Sequence, residues 1–276
     1  MSIQTQVEYL AYQNDRQQAP LYLASSAGRN ARHDIDQAVV YVDIEVDDAR
    51  QLSDGNDARE FGLHPRGFDL FEHPTRMDDF LDAEKIKQLY ETEVETFLKS
   101  VTGAWRVHIF DHTVRASDSG LRERKQVREP AVLVHNDYTP SSGFVCLREN
   151  LGEEAEALAA TRFQIVNLWR PLVNPVEDMP LALCDSRSLA ADQLIDTVRQ
   201  APNHIGAIQL AEHNASHRWF YYAAMRPPEV LLFKTFDSID QGRRPCSIHS
   251  AIKLPDVAPD AKPRESIESR AFVFYR

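Results

Sequence analysis

The sequence predicts an all-β core with flanking helices. Amphipathic helical spacing is concentrated in the first two thirds of the chain, and a dense run of short β-rich segments follows it. That order is typical of a β-sandwich or barrel with helices packed outside. The chain has 276 residues, 43% of them hydrophobic, which is enough for one sizeable core. We predict a single domain over residues 1–276, with residues 1–35 forming an irregular N-terminal arm.

Strands are predicted where β-branched and aromatic residues dominate or alternate with polar ones. In chain order these segments are 38–44, 67–72, 104–110, 130–138, 163–169, 181–184, 207–211, 218–223, 230–236, 247–254 and 266–275. A polar, charged loop is expected at 115–129.

Three helices are predicted from periodicity and capping residues. The clearest begins after the N-cap Asp82 and ends before Gly103. A second helix is predicted over 152–162, and a third over 188–200 with Ser188 as its cap.

Net charge and cysteine content restrict the classes of partner and the cellular location that we expect. The formal net charge is -11 at pH 7, so we expect neither nucleic acid nor an anionic membrane as a partner. No apolar run approaches the roughly 20 residues that span a bilayer, and the first residues do not resemble a secretory signal. The three cysteines are far apart in the sequence, which indicates reduced thiols and a cytoplasmic protein.

The motif that carries chemistry is His135-Asn136-Asp137. Residues two apart on a strand project from the same face, so His135 and Asp137 can bind one metal ion. With a second imidazole they would form the two-histidine, one-carboxylate triad that holds Fe(II) and leaves coordination sites open. The pattern His-x-Asp is common by chance, so the motif alone is weak.

The C-terminal third strengthens this interpretation through the order of its segments. An apolar strand and a polar loop lead to the strand that carries His249. Another loop leads to Arg264 and Ser266 on the closing strand. This order resembles the second half of the Fe(II)/2-oxoglutarate oxygenases.

A closer resemblance runs from about residue 67 to the C-terminus. The segments GAWRVHIFDHTVR, VHNDYT, NLWRPL, PLALCDSRS, HRWFYYAAMRPPEVLLFKTFDS and PRESIESRAFVFY are similar to the gibberellin desaturase-like oxygenases, also called the CmcJ/AsaB/NvfI group. The resemblance implies a double-stranded β-helix, also described as jelly-roll or cupin-like. It also implies an enzyme of secondary metabolism that uses Fe(II), 2-oxoglutarate and O2.

Residue by residue, the resemblance places the iron ligands at His135, Asp137 and His249. It places the 2-oxoglutarate anchor at Arg264 with Ser266, because a planar guanidinium matches a carboxylate and a nearby hydroxyl adds a hydrogen bond. The implied reaction on a small organic molecule is hydroxylation, desaturation, cyclisation or endoperoxidation.

For two of these assignments, another residue is an alternative. His217 is an alternative third ligand, although it can equally be a hydrogen-bonded residue at the entrance of a strand. Arg270 shares a strand face with Arg264 and Ser266, so it is the alternative cofactor-binding anchor.

Four residues are predicted to bind substrate: Asn167, Trp169, Arg170 and His217. The first two share a strand face and would point into the pocket, whereas Arg170 would lie at its mouth. A buried arginine needs an anionic partner, and for Arg170 this could instead be a structural carboxylate such as Asp185.

Two other functions stay open at this point. One is an iron enzyme of the same fold that does not use 2-oxoglutarate, and the other is a non-catalytic accessory protein of a biosynthetic pathway. The expected partner is a small-molecule substrate, with a homodimer as the expected assembly if the chain is not a monomer.

Overall fold

The computed structural model describes residues 2–11, 20–24, 33–52, 63, 65–202, 204–242 and 246–276. Within these ranges the chain forms fifteen strands and five α-helices. The strands are β1 (Ser2–Leu10), β2 (Leu21–Ala24), β3 (His33–Ile35), β4 (Val39–Asp48), β5 (Phe68–Glu72), β6 (Arg106–Ala116), β7 (His135–Asn136), β8 (Phe163–Pro171), β9 (Leu181–Cys184), β10 (Leu194–Ala201), β11 (His204–Ala211), β12 (Trp219–Tyr221), β13 (Glu229–Asp237), β14 (His249–Ala251) and β15 (Glu265–Phe274). The helices are α1 (Ala83–Lys85), α2 (Glu91–Thr102), α3 (Ser119–Lys125), α4 (Ser142–Leu151) and α5 (Ala155–Ala159), and a π-helical turn, Ile86–Tyr90, joins α1 to α2.

Two sheets pack face to face around a shared core. One has the strand order β1-β4-β12-β9-β14-β7-β11-β10-β2-β3, and the other has the order β5-β13-β8-β15-β6. Leu183 and Phe220 of the larger sheet share a buried cluster with Trp169 and Phe233 of the smaller one. The two sheets form the flattened barrel of a double-stranded β-helix, which confirms the predicted fold class.

Strand β8 lies at the centre of the five-stranded sheet, and all nine of its residues are buried. Side chains alternate across a strand, so each face of β8 enters a different core. Trp169 packs between the sheets, whereas Val166 and Leu168 pack against the helical layer. The inner face of this sheet therefore supplies one wall of the space between the sheets.

The predicted first helix is confirmed as the helical layer on the outer face of the five-stranded sheet. The Asp82 side chain accepts hydrogen bonds from two backbone N–H groups, and the helix ends at Gly103, which has a φ of 71°. Because this φ lies in the left-handed region, glycine suits the position. Val94 and Leu98 bury the inner side of α2 against the sheet.

The ten-stranded sheet curls back on itself. Strand β1 pairs with β4, and it also makes parallel bridges from Glu8 to Leu133 and from Leu10 to Glu212. The Val134 N–H donates to the Glu8 carbonyl at 2.8 Å. The curl encloses a second core, whose members include Val7, Tyr9, Ile44, Val46, Val134, Cys184, Trp219 and Ile248.

The predicted irregular N-terminal arm is wrong for its described residues. Ser2–Leu10 forms a nine-residue strand in full antiparallel register with β4, and two short strands, β2 and β3, follow it. Its polar residues alternate with buried ones because one side of the strand faces solvent. The parts of the predicted arm at residues 1, 12–19 and 25–32 lie outside the described residues.

The other two helix predictions need correction. The predicted third helix, 188–200, overlaps β10 (Leu194–Ala201), because every residue of that strand pairs with β11 and its other edge pairs with β2. Long-range pairing outweighs local periodicity there. The predicted second helix, 152–162, is confirmed in part by α5, and a separate helix, α4, precedes it and ends at Gly152 with a φ of 52°. The predicted loop at 115–129 contains α3, and of the strand predicted over 130–138 only β7 is regular.

None of the helices in the described ranges is long and apolar enough to cross a membrane. The three cysteines, Cys146, Cys184 and Cys246, are all in the described ranges and form no disulfide.

Candidate metal centre

Three candidate ligands converge between the two sheets. His135 in β7 and His249 in β14 are direct partners across an antiparallel pair, and their ring centroids lie 4.3 Å apart. The Asp137 Oδ1 atom lies 3.5 Å from Nε2 of His135 and 3.9 Å from Nε2 of His249. One ligand atom from each side chain falls within 4.8 Å of the others, which is the compact spacing that a single metal ion needs.

Backbone carbonyls orient both imidazoles. Nδ1 of His135 lies 2.7 Å from the Leu133 carbonyl, and Nδ1 of His249 lies 3.4 Å from the Ser247 carbonyl. A carbonyl only accepts, so Nδ1 carries the proton in each ring and donates to it. The Nε2 lone pairs are therefore left facing Asp137, in the tautomer that metal-binding histidines use.

The protonation states also fit a metal. Burial, followed by the neighbouring His135, lowers the pKa of His249 to about 3, so that ring is neutral. Burial alone would raise the pKa of Asp137, but Arg270 and the two histidines hold it well below its usual range. A neutral imidazole and an ionised carboxylate are the forms that bind metal ions.

The second oxygen of Asp137 is held by the five-stranded sheet. Asn167 Nδ2 donates to Oδ2 at 2.7 Å, and Arg270 Nε donates to it at 3.1 Å. The Asn167 Oδ1 atom in turn accepts from the Thr235 hydroxyl at 3.2 Å. These contacts fix the rotation of the carboxylate and leave Oδ1 turned toward the histidines.

Arg270 is surrounded by acidic groups. Besides Asp137, its guanidinium forms ion pairs with Asp111 and Glu268 and donates to Thr113 at 3.3 Å. Burial alone would lower the pKa of Arg270, but the three carboxylates raise it well above its usual value. Sequence reasoning missed Asp111 and Glu268, although Glu268 could have been noticed two residues before Arg270 on the same strand face.

Arg264 occupies a different environment near the start of β15. Its side chain is 1% exposed, Nε donates to Ser266 Oγ at 3.2 Å, and Nη1 donates to the Met179 carbonyl at 2.8 Å. The guanidinium lies 5.1 Å from the centre of the Trp169 ring. Burial lowers the pKa of Arg264 to about 9, and within the described ranges no carboxylate forms an ion pair with it. A buried arginine without a counter-ion is suited to binding a carboxylate, such as that of 2-oxoglutarate.

A cavity of about 940 Å³ opens onto the metal centre. His135, Asp137 and Arg270 contribute to its wall, together with residues from β2, β6, β10 and β11. This volume is in the range of small-molecule sites.

The residues predicted to bind substrate are not all brought together. Asn167 and Trp169 share the inner face of β8, but Asn167 contacts Asp137 and Trp169 packs against Arg264. His217 hydrogen-bonds Tyr9 and Gln193 at 2.9 Å each, at the edge of the second core. None of these three side chains lines the cavity in the described part of the chain.

Arg170 does not lie at the mouth of the cavity, because it projects from the opposite face of β8. Its Nε donates to the Tyr90 hydroxyl at 3.2 Å, and its Nη1 donates to the Pro227 carbonyl at 2.6 Å. Its suggested partner Asp185 pairs instead with Arg187 and Arg218. Arg170 therefore ties the helical layer to the sheet.

A double-stranded β-helix with two histidines and one carboxylate between its sheets defines the class of non-haem iron oxygenases. The family described as Oxidoreductase/YMDC permease-like domain matches residues 7–274. Hydroxylase/desaturase CTB9 of Cercospora beticola is 34% identical over 80% of this chain and 74% of its own length. Fe(II)/2-oxoglutarate-dependent dioxygenase nvfI of Aspergillus novofumigatus is 33% identical over 84% of this chain and 82% of its own length.

A solved structure of the iron and alpha-ketoglutarate-dependent endoperoxidase NvfI superimposes with a TM-score of 0.81. It is 26% identical in sequence, and the match covers 99% of this chain and 98% of the other. The chain belongs to this family of Fe(II)/2-oxoglutarate-dependent dioxygenases, whose cofactor is Fe(II) and whose co-substrates are 2-oxoglutarate and O2.

Proposed function

We propose that His135, Asp137 and His249 are the iron ligands of this dioxygenase. The observation that carries the proposal is the approach of their three ligand atoms to within 4.8 Å of one another. The carbonyl contacts of the two Nδ1 atoms support it, because they leave both Nε2 atoms available. Asn167 and Arg270 act as positioning residues that hold Asp137 through its other oxygen.

Arg264 with Ser266 anchors the far carboxylate of 2-oxoglutarate in this proposal. Arg264 is buried without a carboxylate partner among the described residues, whereas the rival anchor Arg270 already has three. When bound, iron would activate O2, which is the oxidant, and 2-oxoglutarate would supply electrons for that activation. The chain's own residues orient the ligands and exclude water from the space between the sheets.

The substrate in this proposal is a small organic molecule of secondary metabolism. The relatives named hydroxylase/desaturase and endoperoxidase support hydroxylation, desaturation, cyclisation or endoperoxidation as the type of reaction. We further propose a single domain that acts in the cytoplasm, with a homodimer as its assembly if it is not a monomer. The three cysteines form no disulfide, which supports the cytoplasmic location.

The test of the iron site compares His249→Ala with His217→Ala. We expect His249→Ala to lose Fe(II) binding because it removes one of three ligands, whereas His217→Ala retains it. Anaerobic titration with Fe(II), followed by metal analysis and by the visible band that forms with 2-oxoglutarate, measures the effect. The assignment fails if His217→Ala loses iron and His249→Ala does not.

The use of 2-oxoglutarate is tested by product analysis. Succinate should form in proportion to oxidised substrate in the wild type. Iron-dependent turnover without succinate would instead favour an oxygenase of this fold that does not use the co-substrate.

A further inference from the structure

The cavity that reaches the metal centre also carries a group of cationic side chains. We define the basic cluster as Arg115 of β6, Arg128, which follows α3, and Arg199 of β10, all of which line the cavity. None of the three contributes to the contacts around Asp137. The cluster is therefore separate from the network that holds the metal ligands.

Strand register gives the position of the basic cluster. His135 pairs with Leu210, which pairs with Ile195, so Arg199 lies two strands away from His135 and four residues farther along. These steps correspond to about 10 Å across the sheet and about 13 Å along it. On the other sheet, Arg115 is four residues along β6 from Asp111, the partner of Arg270. Arg115 is also the cross-strand partner of Ser266, so of the two arginines Arg199 is the one that lies away from the proposed 2-oxoglutarate anchor. Both arginines thus approach the cavity at a distance from the metal centre.

The charges of the three arginines act on one another. Arg115 and Arg128 are backbone neighbours across a parallel bridge, and Arg199 is the cross-strand partner of Tyr22, which also lines the cavity. Burial lowers the pKa of Arg128, and the positive charges of Arg115 and Arg199 lower it further. Burial raises the pKa of Tyr22 to about 12, against the opposing influence of the same arginines.

Two of the three cations lack a carboxylate partner. Among the described residues, the Arg115 side chain donates only to the Glu129 carbonyl, at 2.8 Å, and the Arg199 side chain has no hydrogen bond or ion pair. Lys125, also on the cavity wall, is paired with Glu265. The carboxylate of Glu129 also lines the cavity and offsets part of the charge of the cluster. Three arginines beside this one carboxylate leave a local excess of positive charge, which favours an anion.

Exposed apolar side chains also line the cavity, beside exposed polar ones such as Lys125 and Glu149, and we call the apolar group the apolar rim. Its members are Leu81, Val145 and Ile205, and their side chains are 49%, 46% and 69% exposed. Exposed apolar side chains grouped around a cavity are typical of a binding site for an apolar ligand. The cavity is therefore amphipathic, with the arginines on one part of its wall and the apolar rim on another.

We propose that the substrate has an apolar body and a carboxylate, and that Arg199 and Arg115 bind the carboxylate while the body lies against the apolar rim. This inference rests on the proposed function, since the cavity is taken as its substrate site. Planar guanidinium groups match a carboxylate with paired hydrogen bonds, and anchoring it at a distance from iron limits which carbon of the body reaches the metal.

The competing occupant of the basic cluster is 2-oxoglutarate itself. Arg264 argues against it, because a buried arginine with a serine partner already offers a site for that carboxylate. The experiment therefore measures the binding of a substrate-like carboxylate and the binding of 2-oxoglutarate separately.

The test uses decanoate and its neutral analogue decanamide as probes, titrated calorimetrically into the anaerobic Fe(II)/2-oxoglutarate complex. We expect the wild type to bind decanoate about tenfold more tightly than decanamide, the size of a charge-assisted hydrogen bond. Arg199→Gln should reduce this preference to about twofold, and Arg115→Gln should act in the same direction. Arg124→Gln is the matched control, because Arg124 is an exposed residue of α3 that does not line the cavity.

Three results would overturn the proposal: no preference for decanoate in the wild type, an equal loss in Arg124→Gln, or weaker 2-oxoglutarate binding in Arg199→Gln with the decanoate preference intact. The last would assign the cluster to the co-substrate. If the wild type forms no visible band with Fe(II) and 2-oxoglutarate, the proposed function fails instead. The preference for decanoate is then measured on the metal-free protein and still decides the present inference.

Discussion

Two regions beside the inner face of β15 each contain one arginine, and they differ in charge balance. Arg264 is buried just before the strand, and the Arg270 side chain, within it, is 14% exposed. Around Arg270, the carboxylates of Asp111, Asp137 and Glu268 surround the guanidinium. Around Arg264, the polar neighbours are a hydroxyl and a backbone carbonyl, and the Trp169 ring covers one face. The same residue type on one strand face therefore has a complete set of partners in one region and an incomplete set in the other.

The difference separates a positioning role from a binding role. A cation whose partners are all protein groups is part of the fold, and here it fixes Asp137, a proposed metal ligand. A buried cation without a protein counter-ion is stable when a ligand supplies one. Charge balance around buried arginines thus distinguishes residues that support a site from residues that bind a ligand.

The largest expected effect concerns stability, and it separates the two arginines directly. Arg270→Met should lower the free energy of unfolding by about 3–5 kcal/mol, because it leaves buried carboxylates without their cation. Arg264→Met should cost about 1–2 kcal/mol, because it removes only hydrogen bonds. Chemical denaturation of the metal-free proteins measures both, and equal losses would remove the distinction.

The next effect concerns co-substrate affinity. Arg264→Ala should raise the apparent KM for 2-oxoglutarate about tenfold to a hundredfold, the size of a charge-assisted contact, with iron binding retained. Arg264→Lys should recover only part of the loss because an ammonium group lacks the planar fork. Arg170→Lys serves as the control, since Arg170 faces the helical layer. A larger, co-substrate-selective defect in Arg270→Lys would move the anchor to Arg270.

A smaller effect is expected at Asn167, the other residue that holds Asp137. Asn167→Ala should weaken Fe(II) binding about tenfold, at the lower end of the range for groups that orient metal ligands. Arg270 still holds the same carboxylate oxygen in this variant. Anaerobic Fe(II) titration measures the change, with Thr235→Val as a milder variant one hydrogen bond farther away. Unchanged iron affinity would show that Arg270 alone orients Asp137.

The smallest effect is the contribution of His217 to the pH dependence of the free energy of unfolding. Burial, followed by His213, lowers the pKa of His217 to about 4, whereas an unfolded histidine has a value of about 6.5. The unfolded state therefore binds the proton first, and stability falls as the pH drops from about 6.5 to 4. Urea midpoints of metal-free His217→Gln should fall less over this range than those of the wild type. Replacement of the exposed His204 by Gln should leave the wild-type slope, and a parallel change in both variants would contradict the assignment.

The convergence of the three proposed metal ligands was only partly accessible from short-range rules. His135 and Asp137 share a face through the two-residue period of a strand. His249 was assigned through the resemblance of the later segments to the Fe(II)/2-oxoglutarate oxygenases, not through a local pattern. The contacts of Asp137 with Asn167 and Arg270 were not accessible. They join residues about 30 and 133 positions apart, and no local pattern encodes such pairings.

The strands and contacts that the sequence did not predict were missed for the same reason, because they depend on long-range pairing. Strand β10 has apolar residues that also fit a helical period, and only its pairing with β11 and β2 makes it a strand. Strand β1 looks polar because one face meets solvent, while Tyr9 and Leu10 are buried by residues from distant parts of the chain. Arg170 shares the NLWRPL segment with Trp169, yet the alternation of β8 sends the two side chains to opposite layers.

The place of β15 in its sheet has a consequence for biosynthesis. Among the described residues it is the last strand in chain order, yet in the sheet it lies between β8 and β6. These two strands do not pair with each other. During synthesis from the N-terminus, β6 must wait for the final strand before its inner edge is paired. Such non-local pairing slows folding and leaves strand edges exposed meanwhile. The strand that carries Ser266 and Arg270 is thus the one that closes the sheet, so a nascent chain halted before residue 265 would lack both the closure and these groups.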